Sequence, residues 1–322
     1  MKWTVNVVLT ALALGMVNSG VVADEYPSRP VRIIAPMPAG GSVDTAARLI
    51  AEPLGRQLGQ AIIIENRSGA GGVIGTEAAA RAQADGYTLV VSFAASWTVI
   101  PTVKKLSYDP KKDFVPLGQI WSASQVLVVS SRSNIKTVAD LVAYAKANPG
   151  KLTFGSAGNG TLTHLAIGLL SRETGINVTH VPYRATGQGL TAVLGGQIDA
   201  VFGDISLLAP HVDSGKLTAL AVAAPQRSPL LPKVPTMAET GLSEVMILSW
   251  FGLHALARTP PVVLERLRSA VRAAQLDPGY RASLARIANS TGTVGAERFA
   301  ELVQKEDQRL APIVRSSGIS FN

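Results

Sequence analysis

VRIIAPMPAGGSVDTAARLIAEPLGRQL, residues 31 to 58, passes from a short β-rich run to a glycine and proline turn and then to an amphipathic run. A five-residue apolar segment followed by a helical pattern is the opening half of a βαβ unit. The same grammar continues. AIIIE (61–65) predicts a strand, 73–83 a helix, and YTLVVS (87–92) another strand, with Gly59 and Asp85-Gly86 as the stops. Strands alternating with helices in this way predict an α/β fold with parallel pairing.

A proline-bearing stretch, IPTVKKLSYDPKKDFVPLGQI, interrupts the series and reads as irregular. Alternation then restarts with a strand at QVLVVS (125–130) and a helix whose start carries Thr137 and Asp140 in capping-box spacing, ending before Pro149-Gly150. Strands follow at KLTFGS, NVTHVPY, DAVFG and LTALAVA, with helices over 161–174, 186–195 and 205–214. An apolar strand, SWFGLHALA (249–257), and three tail helices close the chain. Two βα series predict two lobes, residues 24–124 plus 248–322 and residues 125–247, joined by crossing segments near 124 and 248 with a ligand cleft between them. The tail helices are expected to pack on the first lobe. Ligands of open α/β sheets sit beyond the carboxyl ends of the strands, and domain junctions favour pockets.

Composition narrows the class. With 322 residues, 47% hydrophobic and 16% charged, the chain can bury substantial cores. Residues 1–23 carry one charge, Lys2, then an apolar stretch and small residues before Asp24, the order of a cleaved secretory signal peptide. The absence of cysteine removes disulfides, thiolate metal sites and a lipid-anchored cysteine, which suits an exported periplasmic protein large enough to need no staples. No later segment is apolar enough to span a membrane. The formal charge is +8, or +7 without Lys2, and it is dispersed. That distribution speaks against nucleic acid and is compatible with attracting anionic ligands.

Four strand-to-helix turns carry the candidate chemistry: PMPAGGSVD (36–44), SGAGGVIG (68–75), GSAGNGT (155–161) and GDIS (203–206). Each precedes a helix start, where unpaired N–H groups and the helix dipole favour an anion. Ser42 could instead be an N-cap, and Asp44 a complement to the dipole. A nucleotide cradle is disfavoured. SGAGGVIG has the spacing GxGxxxG, no acidic residue ends the next strand, and no GxxxxGK[ST] occurs. Ser156, His164 and Asp204 can be nominated as a triad, yet no GxSxG elbow supports it, and His164 reads as a capping or packing residue. The four histidines form no metal-ligand pair, so no cofactor or metal is expected.

The runs YPSRPVRIIAPMPAGGSVDTAARL, IIIENRSGAGGVIGTEAAARAQADGYTL, KLTFGSAGNGTLTHLA, HVPYRATGQGLTAVLGGQIDAVFGD and WFGLHALARTP together closely resemble the receptors of tripartite tricarboxylate transporters, the Bug proteins, from about Tyr26 to the C-terminus. The resemblance implies a two-lobed Venus-flytrap periplasmic binding protein for small carboxylates, monomeric and without enzymatic activity, that delivers its ligand to a membrane permease. A receptor that docks on a sensor kinase is the alternative, with an exported enzyme acting on carboxylates behind it. It also implies that Pro38, Ala39, Gly40, Gly41 and Ser42 hold a ligand carboxylate together with Ser156, Ala157, Gly158, Asn159, Gly160 and Thr161. Gly71, Gly72, Ala95, Ser96, Trp97, Tyr183, Arg184 and Asp204 complete the implied site. The chain departs from the family pattern at Met37, where phenylalanine is usual, at Arg184, where lysine is common, and at Trp97 and Gly203-Asp204, where members vary. Trp97 is expected either to face the ligand or to pack at the lobe edge.

Overall fold

The computed structural model describes residues 26–287 and 293–316, so the expected signal peptide lies outside the described residues. Among them are nine strands and ten α-helices. β1 (Val31–Ala35) leads through the first turn into α1 (Ser42–Leu58), which ends on Gly59 in the left-handed conformation. β2 (Ile62–Asn66), a tight turn at Ala70–Gly72, α2 (Val73–Ala80) and β3 (Thr88–Phe93) complete the opening series. β1 pairs in parallel with both β2 and β3. The period-two alternation of β1 serves two cores. Ile33 joins the side covered by α1, and Ile34 joins the side carrying Trp97 and Trp250.

The interrupting stretch differs from its expected irregularity in two places. Residues 95–103 are helical, a π-helical turn at Ala95–Val99 running into the short α3 (Ile100–Val103). Residues 114–130 form one long strand, β4 (Phe114–Ser130), whereas only 125–130 was expected as strand. Pro116 argues against a strand because it cannot donate to a ladder. Here it stands opposite His254 at a register irregularity, where the missing N–H does no harm.

β4 changes partners along its length. From Phe114 to Ser124 it runs antiparallel to β9 (Leu248–Leu256), which also borders β3. From Gln125 to Ser130 it pairs instead with β7 (Ala200–Asp204) and β8 (Leu217–Val222). β7 borders β5 (Thr153–Ser156), and β5 borders β6 (Thr179–Pro182) in parallel. The strand order is therefore β2-β1-β3-β9-β4-β7-β5-β6, with β8 also on β4. The chain is α/β and two-lobed, one half-sheet in each lobe.

The second half-sheet has helices on both faces. Leu127 and Val129 pack towards α4 (Val138–Ala147) and α5 (Leu162–Thr174), and Val126 and Val128 towards α6 (Thr186–Gly195) and α7 (Ile205–Asp213). α4 starts with the expected capping box, in which the Thr137 hydroxyl accepts from Asp140 N–H at 3.1 Å and Asp140 accepts from Thr137 N–H at 2.9 Å. In the tail, α8 (Pro261–Leu276) and α9 (Pro278–Ile287) join the α1 side of the first lobe. α10 (Ala296–Ser316) does not stay there. Phe299 packs against Trp250 in the first lobe, while Leu310 and Val314 belong to the second-lobe core. At about 1.5 Å per residue, this 21-residue helix is long enough to span the junction.

Candidate functional site

The carboxyl ends of β1, β2 and β3 set the first lobe's side of the cleft. The turn after β1 is organised by Asp44, which is 4% exposed. Its carboxylate accepts from Gly40 N–H at 2.9 Å, from Arg48 Nε at 2.9 Å and from Asn66 Nδ2 at 3.0 Å. Burial alone would raise its pKa, but these donors outweigh burial and hold it below the ordinary carboxylate range. Asn66, at the end of β2, also donates to the Met37 carbonyl, so the neighbouring strand pins both ends of the turn. Asp44 is visible in the sequence as an acid at a helix start. Asn66 is not, because its role depends on its register opposite Ala35.

Gly40 needs its lack of a side chain for a φ of 80°, whereas Gly41 has an ordinary φ of −86° and precedes the helix as its N-cap. Ser42 is the first helical residue and does not cap α1. Pro38, Ala39, Gly40 and Gly41 are exposed. The second glycine turn lies beside the first. Gly72 has a φ of 98°, and a Cβ there would sit 2.8 Å from the Phe93 ring and 3.4 Å from the Pro36 carbonyl. Gly71 next to it is exposed. Ser96 is buried and donates to the Phe93 carbonyl at 2.9 Å, and Ala95 is buried beside it. Trp97 is only 2% exposed, with its ring 4.8 Å from His254 and 5.6 Å from Phe114. The structure thus places Trp97 in the core, as a packing residue.

The second lobe contributes the carboxyl ends of β5, β6 and β7. Here the turn of residues 156–161 is bonded to itself. Ser156 is fully buried, and its hydroxyl accepts from Gly158 N–H at 3.0 Å and meets His180 Nε2 at 2.6 Å. Ala157 N–H donates to Thr163 Oγ1 at 2.9 Å, and Gly160 N–H to His164 Nδ1 at 3.1 Å. The Thr161 hydroxyl donates to the Gly158 carbonyl at 2.7 Å and caps α5 by accepting from His164 N–H. Asn159 is the exposed member of the turn. His164 and His180 stack at 3.9 Å. Burial lowers both pKa values, and the charge of His180 adds to the effect on His164, bringing it to about 4. A neutral His164 is required, because its Nδ1 is an acceptor here.

Tyr183 N–H donates to the Ser156 carbonyl at 3.0 Å, and the Tyr183 carbonyl closes over Gly158. Arg184 is exposed, with its N–H on Gln188 Oε1 at 3.1 Å. The nominated triad does not assemble. His164 serves Gly160, Ser156 is buried on His180, and Asp204 is occupied elsewhere.

Asp204 links the lobes. It begins α7 but makes no side-chain cap there. Instead Oδ2 accepts from Ser42 Oγ at 2.7 Å, and Oδ1 accepts from Gln125 Nε2, which also donates to Ser249 Oγ at 2.8 Å. Burial raises the Asp204 pKa, opposed by the bonds from Ser42, Gln125 and Ser249. Gln125 and Ser249, absent from the sequence-based set, lie where β4 changes partners and where β9 begins.

The head of α1 in one lobe and the end of β7 in the other thus meet at the junction. The family profile described as "Tripartite tricarboxylate transporter family receptor" matches residues 46–319. The chain belongs to this family. Protein BugT of Bordetella pertussis is 33% identical over 312 residues, covering 95% of each chain. MatC of Rhodopseudomonas palustris, solved with bound malate, is 32% identical with a TM-score of 0.80, covering 90% of this chain and 100% of that one. Rpa4515 of R. palustris, solved with adipate, is 30% identical with a TM-score of 0.84, covering 92% and 99%. This tripartite tricarboxylate transporter receptor therefore has a carboxylate-binding receptor's fold, and its relatives are receptors, which points away from an enzyme. No helix among the described residues is long and apolar enough to cross a membrane.

Proposed function

We propose that this protein is a periplasmic receptor that closes its lobes on a small carboxylate and presents it, as a monomer, to the membrane permease of a tripartite tricarboxylate transporter. The observation that carries the reading is the Ser42–Asp204 bond, which brings the head of α1 in one lobe against the end of β7 in the other. The malate and adipate bound to its relatives supply the ligand class. In this reading the exposed turn from Pro38 to Ser42 receives the carboxylate at the unpaired first-turn N–H groups of α1. The self-bonded turn of residues 156–161 adds Asn159 and the head of α5. The leader-like residues 1–23 supply the route to the periplasm.

The lobes pivot where β4 passes from β9 to β7, at 124/125, and where the chain re-enters β9, at 247/248. Closure is favoured because a ligand touches both lobes only in the closed form. Gly41 offers a clean test. An added Cβ meets only the Pro38 carbonyl, at 3.4 Å, and the backbone needs no glycine there. Gly41→Leu should keep the unliganded melting temperature and lose the thermal stabilisation that malate, adipate or another bound carboxylate gives the wild type. Undiminished stabilisation in the variant would remove this turn from the site.

A further inference from the structure

The second-lobe turn contains the chain's one asparagine followed by glycine, Asn159-Gly160. Such a pair is chemically labile, because glycine has no Cβ to crowd the ring that forms when its amide nitrogen attacks the asparagine side chain. Asn159 is exposed, and among the described residues its side-chain amide makes no hydrogen bond. The electrophile is therefore free to move. The nucleophile is not. Gly160 is buried, and its N–H donates to His164 Nδ1 at 3.1 Å.

His164 is itself held. Its ring stacks on His180 at 3.9 Å and 13°, and His180 Nε2 meets the buried Ser156 hydroxyl at 2.6 Å. An amide nitrogen attacks a carbonyl carbon only as its proton leaves. A neutral imidazole with a pKa lowered to about 4 is a weak base, so it accepts the hydrogen bond and leaves the proton on nitrogen. Attack requires that this bond be broken and that Gly160 be drawn out of its buried place. A net intramolecular hydrogen bond is worth a factor of roughly two to ten in such an equilibrium.

We propose that Asn159 is a deamidation site whose conversion switches off the second lobe's half of the ligand site, and that His164, by holding Gly160 N–H, restrains that conversion. Gly160 N bonds to Asn159 Cγ, the Cγ–Nδ2 bond breaks, and Nδ2 leaves as ammonia, carrying the proton that Gly160 N gives up. Solvent water then opens the cyclic imide at either carbonyl. One water is consumed, one ammonia is released, and residue 159 becomes aspartate or isoaspartate. The new carboxylate lies just ahead of α5, where the N–H groups of Leu162 and Thr163 have no partner among the described residues. Negative charge there suits the helix dipole and repels a second carboxylate. The switch rests on the carboxylate-receptor reading above, and the conversion does not.

The test incubates the full-length mature protein at neutral pH and follows each asparagine by peptide mapping, which reads deamidation as a mass gain and isoaspartate by enzymatic methylation. Asn159 should convert before any other asparagine, and at least fivefold more slowly in the folded wild type than in the same chain unfolded in urea. His164→Leu, which leaves no acceptor, should convert about fivefold faster than the wild type or more, while His164→Asn, which keeps an acceptor at the position of Nδ1, should stay within about twofold of it. Folded wild type converting as fast as the unfolded chain, or folded His164→Leu converting no faster than the wild type, overturns the restraint. If His164→Leu does not fold, the comparison with the unfolded chain decides. Another asparagine converting ahead of Asn159 overturns the site. Asn159→Asp, the direct product, should keep the unliganded melting temperature and lose the thermal stabilisation that malate or adipate gives freshly prepared wild type. Undiminished stabilisation in that variant overturns the switch and leaves the carboxylate receptor standing. If no carboxylate stabilises fresh wild type, the receptor reading falls and the switch falls with it, while the conversion rates still decide the role of His164.

Discussion

Single side chains in this protein are spent on holding turns as much as on presenting groups to a ligand. Asp44 is the clearest case, with three donors converging on a nearly buried carboxylate. Arg48 is more than half exposed, so its pairing is screened and contributes least. Asp44→Ala leaves Gly40 N–H without its acceptor and Asn66 Nδ2 with only the Met37 carbonyl, and should cost about 2 kcal/mol in urea denaturation while weakening carboxylate binding through a loosened turn. His254, on β9, packs in a core and holds no turn. It lies 3% exposed between Trp97 and Phe299, and burial pushes its pKa down to about 3. The folded protein therefore resists protonating it, while the unfolded chain takes up the proton near pH 6.5. Its contribution is intact above that pH and is lost progressively as pH falls from about 6.5 towards 3. Replacing His254 by phenylalanine should flatten stability against pH over 6.5 to 4 by up to about 1.4 kcal/mol per pH unit. Denaturant midpoints measured across that range check it.

Among the elements, β9 and α10 depend on each other at one point. Gly252 on β9 lies under the Phe299 ring of α10, and a Cβ there would come within 2.0 Å of Phe299 Cε1 and 2.8 Å of Ser92 Oγ. The requirement is for space. Phe299 is fully buried and packs edge-on against Trp250, so it has nowhere to go without moving the helix. Gly252→Ala should therefore destabilise by about 2 kcal/mol or more, lowering Tm by roughly 3 °C or more in a thermal scan. A shift below about 1 °C would mean that α10 yields easily at this contact.

The two lobes are tied by more than a flexible linker. β4 crosses as a single 17-residue strand, and α10 places Phe299 in one core and Leu310 in the other. Shared elements couple the unfolding of the parts they join. Calorimetry of the unliganded protein should show one cooperative transition, with calorimetric and van't Hoff enthalpies in agreement. Leu310→Ala removes a fully buried side chain from the second-lobe core and should cost about 2–5 kcal/mol. It should lower that single transition without splitting it. Two resolved transitions in the wild type would mean that the lobes unfold independently in spite of the shared strand and helix.

Local patterning was enough to reveal the alternating βα series, most helix ends and the glycine turns at the strand ends. These features depend on neighbours within a few residues: apolar periodicity, the Thr137–Asp140 capping box, and Gly59 and Gly175 in the left-handed conformation at helix ends. The family resemblance added the ligand class. Long-range pairing had to come from the folded chain. Pro116 hid the first half of β4, because only a partner strand shows where a missing N–H is harmless. Trp97 gave no local sign of whether it faced the cleft or the core. His254 and Phe114, which pack against it, come from β9 and β4. Asp204 stood in the sequence as a member of an unsupported triad and of the site that the resemblance implies. Its meeting with Ser42, 162 residues away, and with Gln125, 79 residues away, depends on how two half-sheets close over a shared strand. Sequence periodicity specifies which face of an element is apolar, while the contacts between distant side chains are set by the packing of those faces against one another.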